Sequence, residues 1–402
     1  MEPVRPIHLR ISSATNLSQW RFTIGLVTVR VLHTSDWHVG RRIRGRDRSE
    51  EHRAVLSELA GLAQDNGVDL TVVAGDVFDT SSPTPISEQI VWNALLELAE
   101  VAPVAVVAGN HDNQARLDAI APLVAMGAIT MVGAPRAPDD GGVVSMDDIG
   151  VKLALLPFVS QRGIVKVEHI MGSDPDQHAG VYVERLSRIV EALTEGMTPD
   201  TVNLVVSHLT VYGALAGGGE RQAHIFGYAI PASIFPGHLS YVALGHLHRQ
   251  QKMPHSGAVW YSGSPLQLDF GEVADAKGAL LVEASPGLPS KVTSLPLTSG
   301  IRLATTRGSL VDVVSRGDDL AGAYVRVELT DRARVGLADE VREAIPGAVE
   351  VVLDSPDPVR KTRVSRQGLR PSEAFHRYLD EKGAEEKEVE ALFAELLDEA
   401  AT

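Results

Sequence analysis

From residue 29 onward, hydrophobic positions fall into short β-branched runs separated by amphipathic stretches. The runs at 29–34, 70–74, 104–108, 152–156, 202–206, 241–244, 258–261 and 279–282 predict strands. Apolar positions recurring every three to four residues predict helices over roughly 50–66, 85–100 and 181–194. Pro85 falls in the first turn of the second, where its missing N–H costs nothing. Residues 1–28 show neither periodicity and are read as a leader outside the folded unit, either a disordered arm or a non-native upstream start. The proline-, glycine- and serine-rich stretch at 286–300 reads as a linker after a first domain at 29–285. Beyond it, strand, helix, strand (324–329), helix (337–344) and strand (349–353) predict a small second domain at 301–365. In 366–402, Phe375, Tyr378 and Leu379 precede a stripe of Val389, Leu392, Phe393, Leu396 and Leu397 spaced i, i+3, i+4, i+7, i+8, which predicts two short amphipathic helices.

Composition narrows the class. With 402 residues, 44% hydrophobic and 22% charged, the chain reads as a globular protein of more than one domain. It has no cysteine, which excludes disulfides, thiolate zinc sites, iron–sulfur clusters and cysteine nucleophiles. The longest uncharged apolar stretch, 120–135, is broken by Pro122, Gly127 and Gly133 and is too short to span a bilayer. No secretion signal is evident, so the expectation is a soluble, cytoplasmic protein without a membrane partner. The net charge of −15 argues against a globally basic surface. The acid is concentrated at 371–402, so a local basic track elsewhere remains open.

The chemistry sits where strands end. Asp36-x-His38, Gly75-Asp76-x-x-Asp79, Gly109-Asn110-His111-Asp112, Ser207-His208 and Gly245-His246-x-His248 each follow or close a predicted strand. One such element alone is more often a polar turn than a ligand. Five of them at strand ends, where loops converge on one crevice, point to a metal centre. Asp36, His38, Asp76 and His248 make one four-coordinate set, and Asp76, Asn110, His208 and His246 a second, if Asp76 is shared. Imidazole, carboxylate and amide donors without sulfur suit manganese, iron or zinc, and the residues do not choose among them. Two ions ~3.5–4 Å apart activate a water and clamp both oxygens of an in-line displacement. His111, next to the ligand Asn110, is placed over the phosphate as proton donor to the leaving oxygen. Asp79 is expected to hold the His111 imidazole through its carboxylate. Its bland alternative is a turn cap.

In this order the motifs resemble the calcineurin-like metallophosphoesterases. The surrounding text, His33-Thr-Ser-Asp-Trp-His-Val-Gly40, Val73-Ala-Gly-Asp-Val-Phe-Asp-Thr80, Tyr241-Val-Ala-Leu-Gly-His-Leu-His-Arg249 and Tyr261-Ser-Gly-Ser-Pro265, is similar to that of the SbcD family, nuclease subunits of bacterial SbcCD complexes. The resemblance implies an α+β fold: a metallophosphoesterase core of two packed β-sheets flanked by helices, a small α/β capping domain, and C-terminal helices. It implies a manganese-dependent, two-metal nuclease active in DNA repair, recombination and replication. The implied activities are 3′–5′ exonuclease at double-stranded ends and endonuclease at hairpins. It also implies a homodimer within a heterotetramer with the ATPase SbcC, engaged through the stripe at 389–397. Arg41, Arg42, Arg44, Arg46 and Arg48 directly follow the first ligand pair and can neutralise DNA phosphates. They can equally pair with Asp47, Glu50 and Glu51. Arg249, beside His248, is a further phosphate candidate. Gly217 to Gly219 before Glu220, and Asp269 before Phe270 where serine is usual, depart from the family pattern. A stand-alone phosphoesterase acting on a small phosphate ester would not need the second domain or terminal helices. A purely structural protein would not need a complete ligand set.

Overall fold

The computed structural model describes residues 28–160, 182–218, 220, 229–353 and 379. A first sheet starts with β1 (Val29–Thr34), crosses through α1 (Ser49–Asp65) to β2 (Leu70–Ala74), and through α2 (Pro85–Val101) to β3 (Val104–Val107). From there α3 (Gln114–Val124) leads to β4 (Ile129–Val132), and all four strands are parallel. The helix starts are locally encoded: the Thr84 hydroxyl accepts the Ser87 N–H at 3.2 Å and Asn113 Oδ1 accepts that of Arg116 at 3.1 Å.

The chain then builds a second sheet from β5 (Val143–Met146), β6 (Val151–Leu156) and, after α4 (Tyr182–Thr194), β7 (Val202–His208). A two-stranded ribbon follows, β8 (Thr210–Val211) with β9 (Ala229–Ile230). The sheet is completed by β10 (Tyr241–Gly245), β11 (Gln251–Lys252) and β12 (Val259–Tyr261), in the order β11-β12-β10-β7-β6-β5. Finally β13 (Gly278–Ala284) returns to the first sheet antiparallel to β1, and β14 (Lys291–Pro296) pairs with β13.

Strand alternation explains the layering. Val29, Val31, Leu70, Val72 and Ala105 face Leu153, Leu155, Leu204, Val206, Tyr241 and Ala243 in the core between the sheets. Their neighbours Leu32, Val73, Val104 and Val106 point outward onto Val55, Leu59, Ile90, Leu95 and Leu98 of α1 and α2. On the far side Ala154, Leu156, Val205, Val242 and Leu244 receive Leu186, Ile189, Val190 and Leu193 of α4. The result is helix, sheet, sheet, helix. The central strands are buried on both faces, so they read as continuous apolar runs rather than alternating ones. This is the α+β core of two packed sheets that the sequence implies.

Two parts of the sequence reading change. The stretch 286–300 is not simply a linker, because 291–296 is the edge strand β14. Its lysine, serine and proline are what an exposed edge tolerates, and they mask its strand character. The apolar stretch 120–135 divides into the end of α3, a turn through Ala128 in the left-handed region, and β4.

The second domain follows the predicted pattern: β15 (Leu303–Gly308), α5 (Leu310–Ser315), β16 (Tyr324–Leu329), α6 (Leu337–Ala344) and β17 (Ala348–Leu353). Its three strands are parallel and close over Val313, Val325, Val327, Leu337 and Val341. It sits on the core through Leu303, Tyr324 and Val349 against Ile43 and Phe270. The leader at 1–27 and the stripe Val389, Leu392, Phe393, Leu396 and Leu397 lie outside the described residues. Among the described residues, no helix is long and apolar enough to cross a membrane.

Leu153 is fully buried between the sheets and Val335 fully exposed in the second domain. Leu153→Ala is expected to cost about 2–5 kcal/mol and Val335→Ser less than about 0.5 kcal/mol in urea unfolding. Similar effects of the two would contradict the layered core.

Candidate metal centre

The two sheets direct the carboxyl ends of β1, β2, β3, β7 and β10 toward one place. Asp36 and His38 follow β1, Asp76 follows β2, Asn110 and His111 follow β3, His208 ends β7, and His246 and His248 follow β10. The chain turns sharply to do this. Of six non-glycine residues at positive φ among those described, four are Asp36 (53°), His38 (45°), Asp76 (51°) and His246 (100°). Such backbone costs on the order of 1–3 kcal/mol per residue and persists where surrounding structure enforces it. Glycines clear the crossing. A side chain at Gly109 would collide with the Asp76 carboxylate, and one at Gly75 with the His208 ring.

All seven predicted ligands come together. Donor atoms of Asp36, His38 and His248 lie within 4.8 Å of one another, as do those of His38, Asp76 and His111 and those of Asp76, His208 and His246. Asp76 joins the groups: its Oδ2 is 3.6 Å from His38 Nε2 and 3.3 Å from His208 Nε2. Asn110 Oδ1 stands 3.0 Å from His208 Nε2 and 2.7 Å from His246 Nδ1. In the other group the Nε2 atoms of His38 and His248 face each other at 3.2 Å. The outer nitrogens explain that inward aim. His208 Nδ1–H donates to the Ala74 carbonyl at 2.8 Å and His248 Nδ1–H to Glu272 at 2.9 Å, leaving each Nε2 turned inward. Buried nitrogen and oxygen donors without sulfur, converging in two groups that the Asp76 carboxylate bridges through His38, fit a dinuclear divalent-metal centre.

The electrostatics are those of charges packed together in a dry pocket. Burial alone would lower the His208 pKa, but the Asp76 carboxylate beside it outweighs that and pushes it up to about 9. Asp76 is in turn held well below the usual carboxylate range: burial opposes this, and His208 and His38 overcome it. His246 is lowered to about 3, first by burial and then by the neighbouring His208 charge. Asp112 is raised to about 6 by burial and by Asp76.

Asp112, to which the sequence reading gave no role, accepts the N–H groups of Gly109 (2.8 Å) and Phe78 (3.0 Å) and ties the β2 and β3 loops together. Two further carboxylates, Glu220 and Glu272, contact His248 and were not read as part of the site. Nothing in their spacing marks them, because the turns that return them to the centre lie outside the strand-end pattern.

The proton-donor arrangement differs from expectation. The His111 ring packs edge-on to His38, centroids 4.7 Å apart. Its Nδ1–H donates to the backbone carbonyl of Asp79 at 2.7 Å, not to the Asp79 carboxylate. The loop presents its main chain to His111 while the carboxylate turns to Arg41 Nη1 (3.3 Å) and His38 Nδ1 (3.4 Å). The carbonyl fixes the same tautomer without adding a charge.

Nor do the arginines form one track. Arg41 pairs with Asp79, Arg42 Nε donates to the Gly45 carbonyl at 3.2 Å, and Arg249 lies 3.5 Å from Asp275. Arg44 bridges Asp269 (3.3 Å) and Glu350 (2.8 Å) and so binds the second domain rather than lining the centre. The unusual Asp269 is thereby explained: it holds Arg44 and caps the turn at 270–272. Buried Arg48 pairs with Glu51, as the bland reading had it.

Residues 29–250 match the family model described as calcineurin-like phosphoesterase. The chain is 31% identical over 336 residues to the SbcD subunit of the SbcCD nuclease of Bacillus subtilis, covering 80% of this chain and 85% of that one. It is 32% identical over 322 residues to the protein of that name in Rhodobacter capsulatus, covering 76% and 78%. With the Escherichia coli K12 protein of that name it shares 30% identity over 397 residues, 92% and 94% of the two chains.

His208 can ligate only after losing the proton that Asp76 holds on it. Its pKa is raised from 6.5 to about 9, so its ion pair stabilises the metal-free protein fully below pH 6.5 and is lost as pH rises through 9. Between those values divalent-metal binding should release protons and tighten with rising pH. Calorimetry in buffers of different ionisation enthalpy measures this, and no proton release at pH 7.5 would contradict it. By elemental analysis, Asp76→Ala should lose both ions and His248→Ala mainly one. A single ion in the wild type at saturating manganese would sink the shared-carboxylate arrangement.

Proposed function

The chain belongs to the calcineurin-like phosphoesterases, among the SbcD subunits of SbcCD nucleases, and from that membership and the site geometry we propose how it cleaves DNA. The reading is a manganese-dependent phosphodiesterase that degrades double-stranded DNA 3′–5′ from its ends and opens hairpins. The observation that carries it is the chain of donor groups joined through His38 and Asp76, with the His111 ring packed edge-on against His38. Asp36, His38, Asp76 and His248 would hold one divalent ion and Asp76, Asn110, His208 and His246 a second, and such ions would supply a nucleophilic water and neutralise the phosphate.

The protein's own part is proton placement and alignment. With Nδ1–H committed to the Asp79 carbonyl, His111 carries its exchangeable proton on Nε2 and passes it to the leaving 3′ oxygen. Its backbone N–H donates to Asp76 Oδ1 at 2.8 Å, so the donor and the shared carboxylate keep a fixed spacing. Asp79, through Arg41 and His38, positions the rings around that proton. Arg41 and Arg249 are the arginines beside the centre that can meet backbone phosphates. The mixed donor set accepts manganese, consistent with the proposed metal.

Family membership also supports SbcC as partner, cytoplasmic action, and the stripe at 389–397 as the docking element. A homodimer is supported by exposed Leu123 and Met126 at the end of α3, with Leu96 of α2 beside Gly127.

The test is cleavage of end-labelled duplex and hairpin DNA with manganese, with and without SbcC. His111→Asn should keep metal and DNA binding while kcat falls roughly 10²–10⁴-fold. An equal loss of metal would make His111 a ligand. Turnover of a generic phosphate ester with no cleavage of DNA would overturn the nuclease reading.

A further inference from the structure

The two halves of the centre are braced differently. On the Asp76 side, His208 is oriented by a neutral group, the Ala74 carbonyl. On the Asp36 side, the His248 ring is oriented by the carboxylate of Glu272, which is fully buried. Glu272 has no freedom to leave: its other oxygen accepts Lys277 Nζ at 2.7 Å and the Leu268 N–H at 2.9 Å. The turn that carries it is pinned by Gln267, whose Nε2 donates to the Glu272 carbonyl at 3.0 Å.

Glu220 does a different job at the same residue. Its Oε1 accepts the His248 backbone N–H at 2.7 Å and lies 3.9 Å from the ring nitrogen, so it holds main chain and not ring. The remaining histidine of this half, His38, has no short bond at its outer nitrogen, the Asp79 carboxylate standing 3.4 Å away. Within the Asp36, His38 and His248 group, the bond that His248 Nδ1–H donates to Glu272 is therefore the shortest on the outer nitrogen of a candidate ligand ring among the described residues.

We propose that Glu272 is a positioning residue that fixes the His248 ring and thereby sets the affinity of one metal position and not the other. This rests on the two-metal reading above. A carboxylate behind a ligating imidazole holds its tautomer, aims its lone pair and raises its basicity, and loss of such a partner weakens metal binding about 10–100-fold. Glu272→Gln keeps the volume and removes the charge. The double variant Glu272→Gln/Lys277→Met also removes the buried cation that Glu272 partners, so no unpaired charge remains.

The experiment titrates Mn2+ alone into the full chain by calorimetry, with thermal melting of the metal-free proteins alongside. Wild type should bind two ions. Both variants should melt cooperatively and bind one ion as wild type does and the other about 10–100-fold more weakly. The manganese concentration for half-maximal DNA cleavage should rise by the same factor, with kcat recovered at saturation. Unchanged binding of both ions, or equal weakening of both, would overturn the proposal while leaving the two-metal reading intact. Loss of the fold in both variants would assign Glu272 to the scaffold and likewise overturn it. Fewer than two ions in the wild type would defeat the two-metal reading and this inference together.

Discussion

The carboxylate of Asp76 is the point on which the molecule turns. A buried negative charge without partners is prohibitively costly, so the surrounding structure must supply positive charge and N–H groups at short range. His208 and His38 reach it from two different sheets, and the His111 backbone N–H from a third loop. Meeting those demands requires the ends of β2, β3 and β7 to stand within a few ångströms of one another, which in turn requires the glycines at 75 and 109. The like charge of Asp112 is tolerated because three loop N–H groups point at its carboxylate, while burial and Asp76 push its pKa up to about 6.

Such a site is a liability to a chain that holds no ion. Four residues of the centre sit in left-handed backbone, and the Nε2 atoms of His38 and His248 face one another at 3.2 Å. The large apolar layer between the sheets and the helices on both outer faces offset this. The strain is local and the compensation is distributed, which is the usual separation between a reactive centre and its scaffold. Cation binding by the converged lone pairs relieves much of the electrostatic part and links metal to folded-state stability.

The candidate ligands at strand ends were legible because a doubly buried strand is an uninterrupted apolar run and a ligand-type residue directly after it stands out. That held for Asp36, Asp76, Asn110, His208 and His246. The edge strand β14 was not legible, since an edge carries the lysine and proline that also mark loops. Nor could spacing show which atom of Asp79 meets His111, a matter of one peptide's orientation. The arginine cluster at 41–48 shows the same limit. Its charge suggested a phosphate track, yet Arg44 and Arg48 are spent on Glu350, Glu51 and Gln267 at the seat of the second domain. Glu272 reaches His248 only through the fold of a turn that no periodicity reports.

The position of β1 between β2 and β13 has a consequence in time. On a ribosome β1 emerges first among the described strands and gains β2 early, but its other flank stays open until Gly278–Ala284 has been made. At ordinary elongation rates that interval is roughly 10–50 s. Within it the candidate ligands His208, His246 and His248 are made, all of them before β13 begins. A nascent chain of this protein thus carries every candidate ligand before the open edge of β1 is covered, so the sheet that aims the Asp36 and His38 loop is finished after the residues it must aim.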